Sequence, residues 1–143
     1  MNQAMTAMQA EIEIHKLVAA YWSLIVDMYP SIGTAPRIMV TTRKSRVAGY
    51  AWKSKVDSRV EYNLTFVLTA GMEVFTELLV HELAHIVQFR IFPNAPQVHG
   101  PEFRYVMRRL GYVGDTYHYM DVVEAKAASK AAKSSSLSIA GIL

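Results

Sequence analysis

The sequence predicts an α+β domain in which a small antiparallel or mixed sheet of about three strands packs with one long apolar helix and two other helices. Three observations carry this reading. Apolar residues recur at helical spacing in three segments, near 14–28, 73–90 and 101–110. Three short stretches rich in β-branched and aromatic residues lie between the first two, bounded by Pro, Gly and Ser. A length of 143 residues with 52% hydrophobic content suits one buried core rather than two domains of ordinary size.

The first helix follows from Ile14, Leu17, Val18, Tyr21, Leu24, Ile25 and Met28, and it must end before Pro30. His15 rides on it with no partner signal and is expected to face solvent. Pro30, Gly33 and Pro36 then mark a loop. The strands are expected at Arg37 to Thr42, Val47 to Lys53 and Arg59 to Thr65, with a turn over Lys53 to Ser58. In the third, alternation puts Val60, Tyr62 and Leu64 on one face and Arg59, Glu61 and Asn63 on the other.

The long helix, from Glu73 to about Arg90, is apolar on most sides and therefore belongs in the interior. Its single polar stripe is Glu77, His81, His85 and Gln88. His81, Glu82 and His85 spell H-E-x-x-H, and one helical turn between the histidines aims both imidazoles from one face, at a separation that suits one Zn²⁺. Burying such a stripe without partners would be costly, and a metal at that face removes the cost. Glu82 lies beside the first ligand without being placed to ligate, so it is positioned as a general base. Glu77, one turn earlier, reads either as a hydrogen-bond acceptor for a ligand histidine or as solvated charge.

Pro93, Asn94 and Pro96 interrupt the chain before His99-Gly100-Pro101-Glu102-Phe103 opens the third helix. Pro101 suits a first helical turn, Glu102 the positive helix end, and Gly111 a stop; Phe103, Val106, Met107 and Leu110 form its buried stripe. His99, just ahead of this helix, is where the chain could return to the metal, and it is the natural third ligand. His118, in Asp115-Thr116-Tyr117-His118-Tyr119, either lines the cleft or is structural. From about residue 123 the chain turns to Ala, Lys and Ser, so 1–122 read as the folded domain and 123–143 as a C-terminal helix and partly disordered tail.

Composition excludes several chemistries. Without a single cysteine there is no disulfide framework, zinc ribbon or thiol nucleophile, and any metal must be held by His, Asp or Glu. No basic n-region with an apolar core opens the chain, and no apolar run approaches the ~20 residues of a membrane span. A soluble intracellular protein, cytoplasmic or associated with the nucleoid or nucleus and not secreted, is expected, with a monomer as the default. The net charge is only +3, yet Arg37, Arg43, Lys44, Arg46, Lys53, Lys55 and Arg59 share a stretch whose one acid is Asp57. Such clustering reads either as a polyanion footprint or as a hairpin kept soluble by its charges. Tyr50 and Trp52 lie within it, where rings could stack on unpaired bases or pack in the core.

Ala48-Gly49-Tyr50-Ala51-Trp52 (A-G-x-A-W), a strand ending near Asn63, His81 to His85 (H-E-L-A-H), His99 to Phe103 (H-G-P-E-F), and then Met107 and Leu110-Gly111 together resemble the SprT-like (Spartan-type) zinc metalloprotease domain. The resemblance covers roughly residues 10 to 122. It implies a compact zincin-like fold, one Zn²⁺ on His81, His85 and His99, Glu82 as catalytic base, and, as in the best-known eukaryotic members, DNA-dependent cleavage of proteins crosslinked to DNA. Thr116 and His118 echo a threonine and histidine that follow the last helix in bacterial members. His118 or a tyrosine among Tyr117, Tyr119 and Tyr105 is expected to assist zinc at the oxyanion. The protein substrate would be joined by single-stranded or disrupted duplex DNA as partner, contacted through Arg43, Lys44, Arg46, Lys53, Lys55 and Trp52. Since the cysteine-rich ribbon of many relatives has no counterpart here, recruitment to DNA would rest on this basic surface or on another protein. Two other readings stand beside this one: an intracellular zinc protease without DNA dependence, and a non-catalytic zinc-containing DNA-binding or adaptor domain.

Overall fold

The computed structural model describes residues 5–42, 49–52 and 58–112. Within them the chain runs α1 (Ala7–Met28), β1 (Arg37–Thr41), β2 (Gly49–Trp52), β3 (Arg59–Asn63), α2 (Leu64–Ala70), α3 (Met72–Ile91) and α4 (Pro101–Arg109). The α+β class holds.

Helix α1 begins at a capping box. The Thr6 hydroxyl accepts from the Gln9 backbone N–H at 3.1 Å and the Gln9 side chain accepts from the Thr6 N–H at 2.9 Å, which satisfies two donors that a helix start leaves open. Its buried face is Ala10, Ile14, Val18, Trp22 and Ile25. Leu17, Tyr21 and Met28 pack at the margin, whereas Leu24, expected inside, is 50% exposed. His15 is exposed, as expected.

The sheet is mixed, in the order β1-β3-β2, with β1 parallel and β2 antiparallel to β3. β3 departs from the expected alternation: Val60, Glu61, Tyr62 and Asn63 are all buried in a strand that is paired along both edges. The strand also ends sooner than the expected Thr65. The Asn63 side chain accepts from the Thr65 N–H at 3.0 Å and caps α2, so Leu64 opens a helix instead of closing a strand. Helix α2 is therefore an element beyond the three helices expected. Gly71, at φ 93°, separates it from α3 in a conformation that a side chain would strain.

Helix α3 runs through the middle of the molecule and packs against α1, α2, α4, β2 and β3. Every residue from Leu78 to Gln88 is buried. Helix α4 buries Phe103, Val106 and Met107, with Leu110 behind them, and Gly111 at φ 98° ends it. Pro101 occupies its first turn, where a missing N–H costs nothing. No helix among the described residues is long and apolar enough to cross a membrane. The Ala/Ser/Lys-rich segment 123–143 and, of the turn expected over Lys53 to Ser58, all but Ser58 lie outside the described residues.

Candidate metal centre

His81 and His85 sit one turn apart within the buried run of α3, and both are fully inaccessible to solvent. The chain leaves α3 at Phe92, crosses a proline-containing loop and presents His99 just before α4. The loop is tied back to the helix by Gln88, whose side-chain N–H donates to the Gln97 carbonyl at 2.7 Å. At the turn into α4 Gly100 spares the loop a tight contact, since a Cβ there would lie 3.0 Å from the Gln97 Cβ. These contacts carry His99 back to the other two.

The three rings converge on one point. His85 Nε2 is 3.2 Å from His81 Nε2 and 3.2 Å from His99 Nε2, and one nitrogen from each residue falls within 4.8 Å of the others. A ring nitrogen carries either one proton or one lone pair, so His85 Nε2 can serve only one of these neighbours well by hydrogen bonding. A cation shared by all three lone pairs resolves the arrangement. The histidines could hold a metal ion, and the donor set is what the sequence reading expected.

Phe103 is the residue whose position sequence reasoning undervalued. Its ring lies 4.8 Å from His81, 4.6 Å from His85 and 4.9 Å from His99 by centroids, stacked on the second and edge-on to the first and third. The buried stripe of α4 thus supplies a platform under the whole triad. Periodicity marks Phe103 as core and says nothing of this contact.

Glu82 is fully buried beside His81. Gly49 on β2 lies against it: a Cβ at that position would stand 3.4 Å from Glu82 Cγ and 3.2 Å from the Glu61 carbonyl oxygen. The tight contact is with the backbone of the central strand, and the outer strand meets the Glu82 side chain at van der Waals distance. Tyr62, fully buried on β3, donates its hydroxyl to the Leu79 carbonyl of α3 at 2.8 Å. Burial first, and the Glu82 charge second, hold its phenol protonated well above the ordinary value of 10.0. Tyr62 was expected only as a face of β3.

The remaining expected residues are scattered. Trp52 is half-buried against the tilted Tyr50 ring at 5.2 Å and beneath the Arg59 guanidinium at 4.8 Å, an arrangement of the molecule with itself. Glu77 is half-buried and near Tyr112, whose phenol is pushed up chiefly by burial and then by Tyr21, with the charges of Glu77 and Glu73 adding to it. Tyr105 is exposed on α4. Arg43, Lys44, Arg46, Lys53, Lys55, Thr116, Tyr117, His118 and Tyr119 lie outside the described residues.

Comparison with known proteins agrees with the motifs. Protein SprT of Actinobacillus succinogenes is 32% identical over 76 residues, which cover 52% of this chain and 43% of that protein. The match thus spans less than half of that relative. No solved structure matches the chain. The SprT-like family model matches residues 14–126, most of the sequence, and the chain belongs to the SprT-like family.

Proposed function

We propose that this chain is a zinc-dependent endopeptidase acting on proteins bound or crosslinked to DNA. The single observation that carries the proposal is the convergence of the buried His81 and His85 with the half-buried His99, and the fully buried Glu82 on the same helix as the first two. A tetrahedral zinc at about 2.0–2.1 Å from each nitrogen spaces its ligands about 3.3–3.4 Å apart. The observed 3.2 Å contacts fit that spacing. Three neutral imidazoles, with no thiolate in the chain, also suit a catalytic rather than a closed structural centre.

Bound there, zinc would polarise a peptide carbonyl and bring a water's pKa from 15.7 to around 7. Glu82 would accept the proton of the attacking water and return it to the leaving amine, so one carboxylate serves both steps. Glu82 is fully buried on the helix that carries two of the three histidines. β2, the outer strand that passes Glu82, is where an extended substrate would pair its backbone, leaving side-chain selectivity to flanking pockets.

The DNA-linked part rests on charge. The basic stretch from Arg37 to Arg59 is continued, in kind, by Arg104, Arg108 and Arg109 on the exposed side of α4. A polyanion would be attracted to either. The test is cleavage of a DNA-binding protein by the purified chain and by Glu82→Gln, with and without single-stranded or disrupted duplex DNA. Expected are about one zinc per chain in both proteins, a loss of ~10²-fold or more in the variant, and DNA stimulation that fades as salt rises. A variant as active as the parent overturns the peptidase reading, and equal rates with and without DNA overturn the DNA-linked one.

A further inference from the structure

The polar stripe of α3 has a last member that the metal chemistry leaves without a role. Gln88 stands three residues beyond His85, one helical turn on, and shares its side of the helix. It is 4% exposed, and an amide in the interior is costly unless its polar atoms are used. Its side-chain N–H donates to the Gln97 carbonyl at 2.7 Å, which joins α3 to the segment that leads into α4.

Gln97 lies two residues before His99, and from it the chain turns through Val98 and His99 to Gly100. The turn is tight: a Cβ on Gly100 would stand 3.0 Å from Gln97 Cβ and 3.4 Å from the carbonyl oxygen that Gln88 holds. His99 is therefore carried between two backbone points that lie close together, one of them tied to α3. The helix itself fixes His81 and His85, whereas His99 has to be brought in from a loop containing Pro93 and Pro96. A metal ligand must sit within about 0.2 Å of its proper distance, so whatever anchors this turn bears on the third bond to the metal and not on the first two. We propose that Gln88 is a positioning residue for the third metal ligand: its bond to the Gln97 carbonyl fixes the turn that presents His99, and metal affinity depends on it through His99. This role rests on zinc binding by the triad, and it stands whether or not the chain cleaves peptides.

Gln88→Met keeps the length of the side chain and removes the donor. Gln88→Asn keeps the amide and shortens its reach by a methylene, and it takes the place of the first variant should that one fail to fold in EDTA by circular dichroism. Zinc affinity is measured by competition against a chromophoric chelator for the parent, the Gln88 variant, His99→Ala and the double variant. Expected is a loss of about tenfold or more when Gln88 is replaced with His99 present, the size seen when other groups that orient metal ligands are removed. Once His99 is alanine, the same replacement should change the residual affinity by no more than about twofold, because Gln88 then has no ligand to position. An unchanged affinity with His99 present overturns the role, and so does an equal loss in both backgrounds, which would make Gln88 a support of the fold in general. Absence of zinc from the parent would sink the metal reading itself, whereas zinc bound by the parent and unmoved by the variant sinks the role of Gln88 alone.

Discussion

Phe103→Leu separates a residue that merely fills the core from one that orients the triad. Phe103 is fully buried, and its centroid lies 4.6–4.9 Å from all three histidine rings. Leucine keeps most of the apolar burial but removes three ring contacts, each worth about 0.5–1.5 kcal/mol beyond area. Because the three share one ring and are not additive, a loss of about 2 kcal/mol is expected. For a domain of this length that lowers Tm by about 4–8 °C. The metal supplies the second readout. If the phenyl face holds the imidazoles at the angles their shared ligand requires, zinc affinity should fall about 10–100-fold, as when other groups that orient metal ligands are removed. Thermal unfolding followed by circular dichroism, with and without EDTA, gives the first number, and competition against a chromophoric chelator gives the second. Zinc affinity within about threefold of the parent, with the full loss of Tm in EDTA, would refute an orienting role and leave Phe103 as core alone.

Other expectations follow from the same geometry. Gly49→Ala places a methyl 3.2 Å from a backbone oxygen of the central strand and 3.4 Å from Glu82 Cγ. Overpacking of about 1–3 kcal/mol, offset by about 0.4–1 kcal/mol of lost chain entropy, should leave it less stable than the parent, and Gly49→Val worse, by urea titration. A Gly49→Val protein as stable as the parent would mean that β2 and β3 have room for a side chain at this position. Zinc at 100 times its Kd should stabilise the protein by about 2.7 kcal/mol, an increment that His99→Ala largely removes in a calorimeter. Tyr62 has a folded pKa raised above its unfolded value near 10, so its contribution is present below pH 10 and lost as pH climbs beyond it. Tyr62→Phe should therefore cost about 1 kcal/mol at neutral pH, through the lost bond to the Leu79 carbonyl, and show a flatter decline above pH 10; a decline as steep as the parent's would contradict this.

How much of the site could be read without coordinates differs from residue to residue. The helix carrying His81, Glu82 and His85 was legible because its apolar residues circle it and its histidines share a turn, both local properties of the chain. His99 was legible from its place ahead of Pro101, since few histidines exist and a helix start brings the chain about. The short α2 was missed although a signal existed: Asn63 as cap, Leu64 and Val67 at helical spacing, Gly71 as stop. The alternation of Val60, Tyr62 and Leu64 extended the strand reading past its true end, where the cap's side-chain bond decides the matter. Trp52 was weighed between base stacking and packing, and its ring is engaged by Tyr50 and Arg59.

By itself the sequence determined the α+β class, the buried character of α3, the H-E-x-x-H spacing, the third histidine and the family, because each depends on residues near one another in the chain or on motif order. Tertiary structure decided that β3 is central, that β2 meets the Glu82 side chain at Gly49, that Phe103 lies under three imidazoles, and that Gln88 ties the His99 loop back to α3. Those are contacts between surfaces far apart in sequence. Close packing selects them only once every element has found its neighbours, so no periodicity along the chain encodes them.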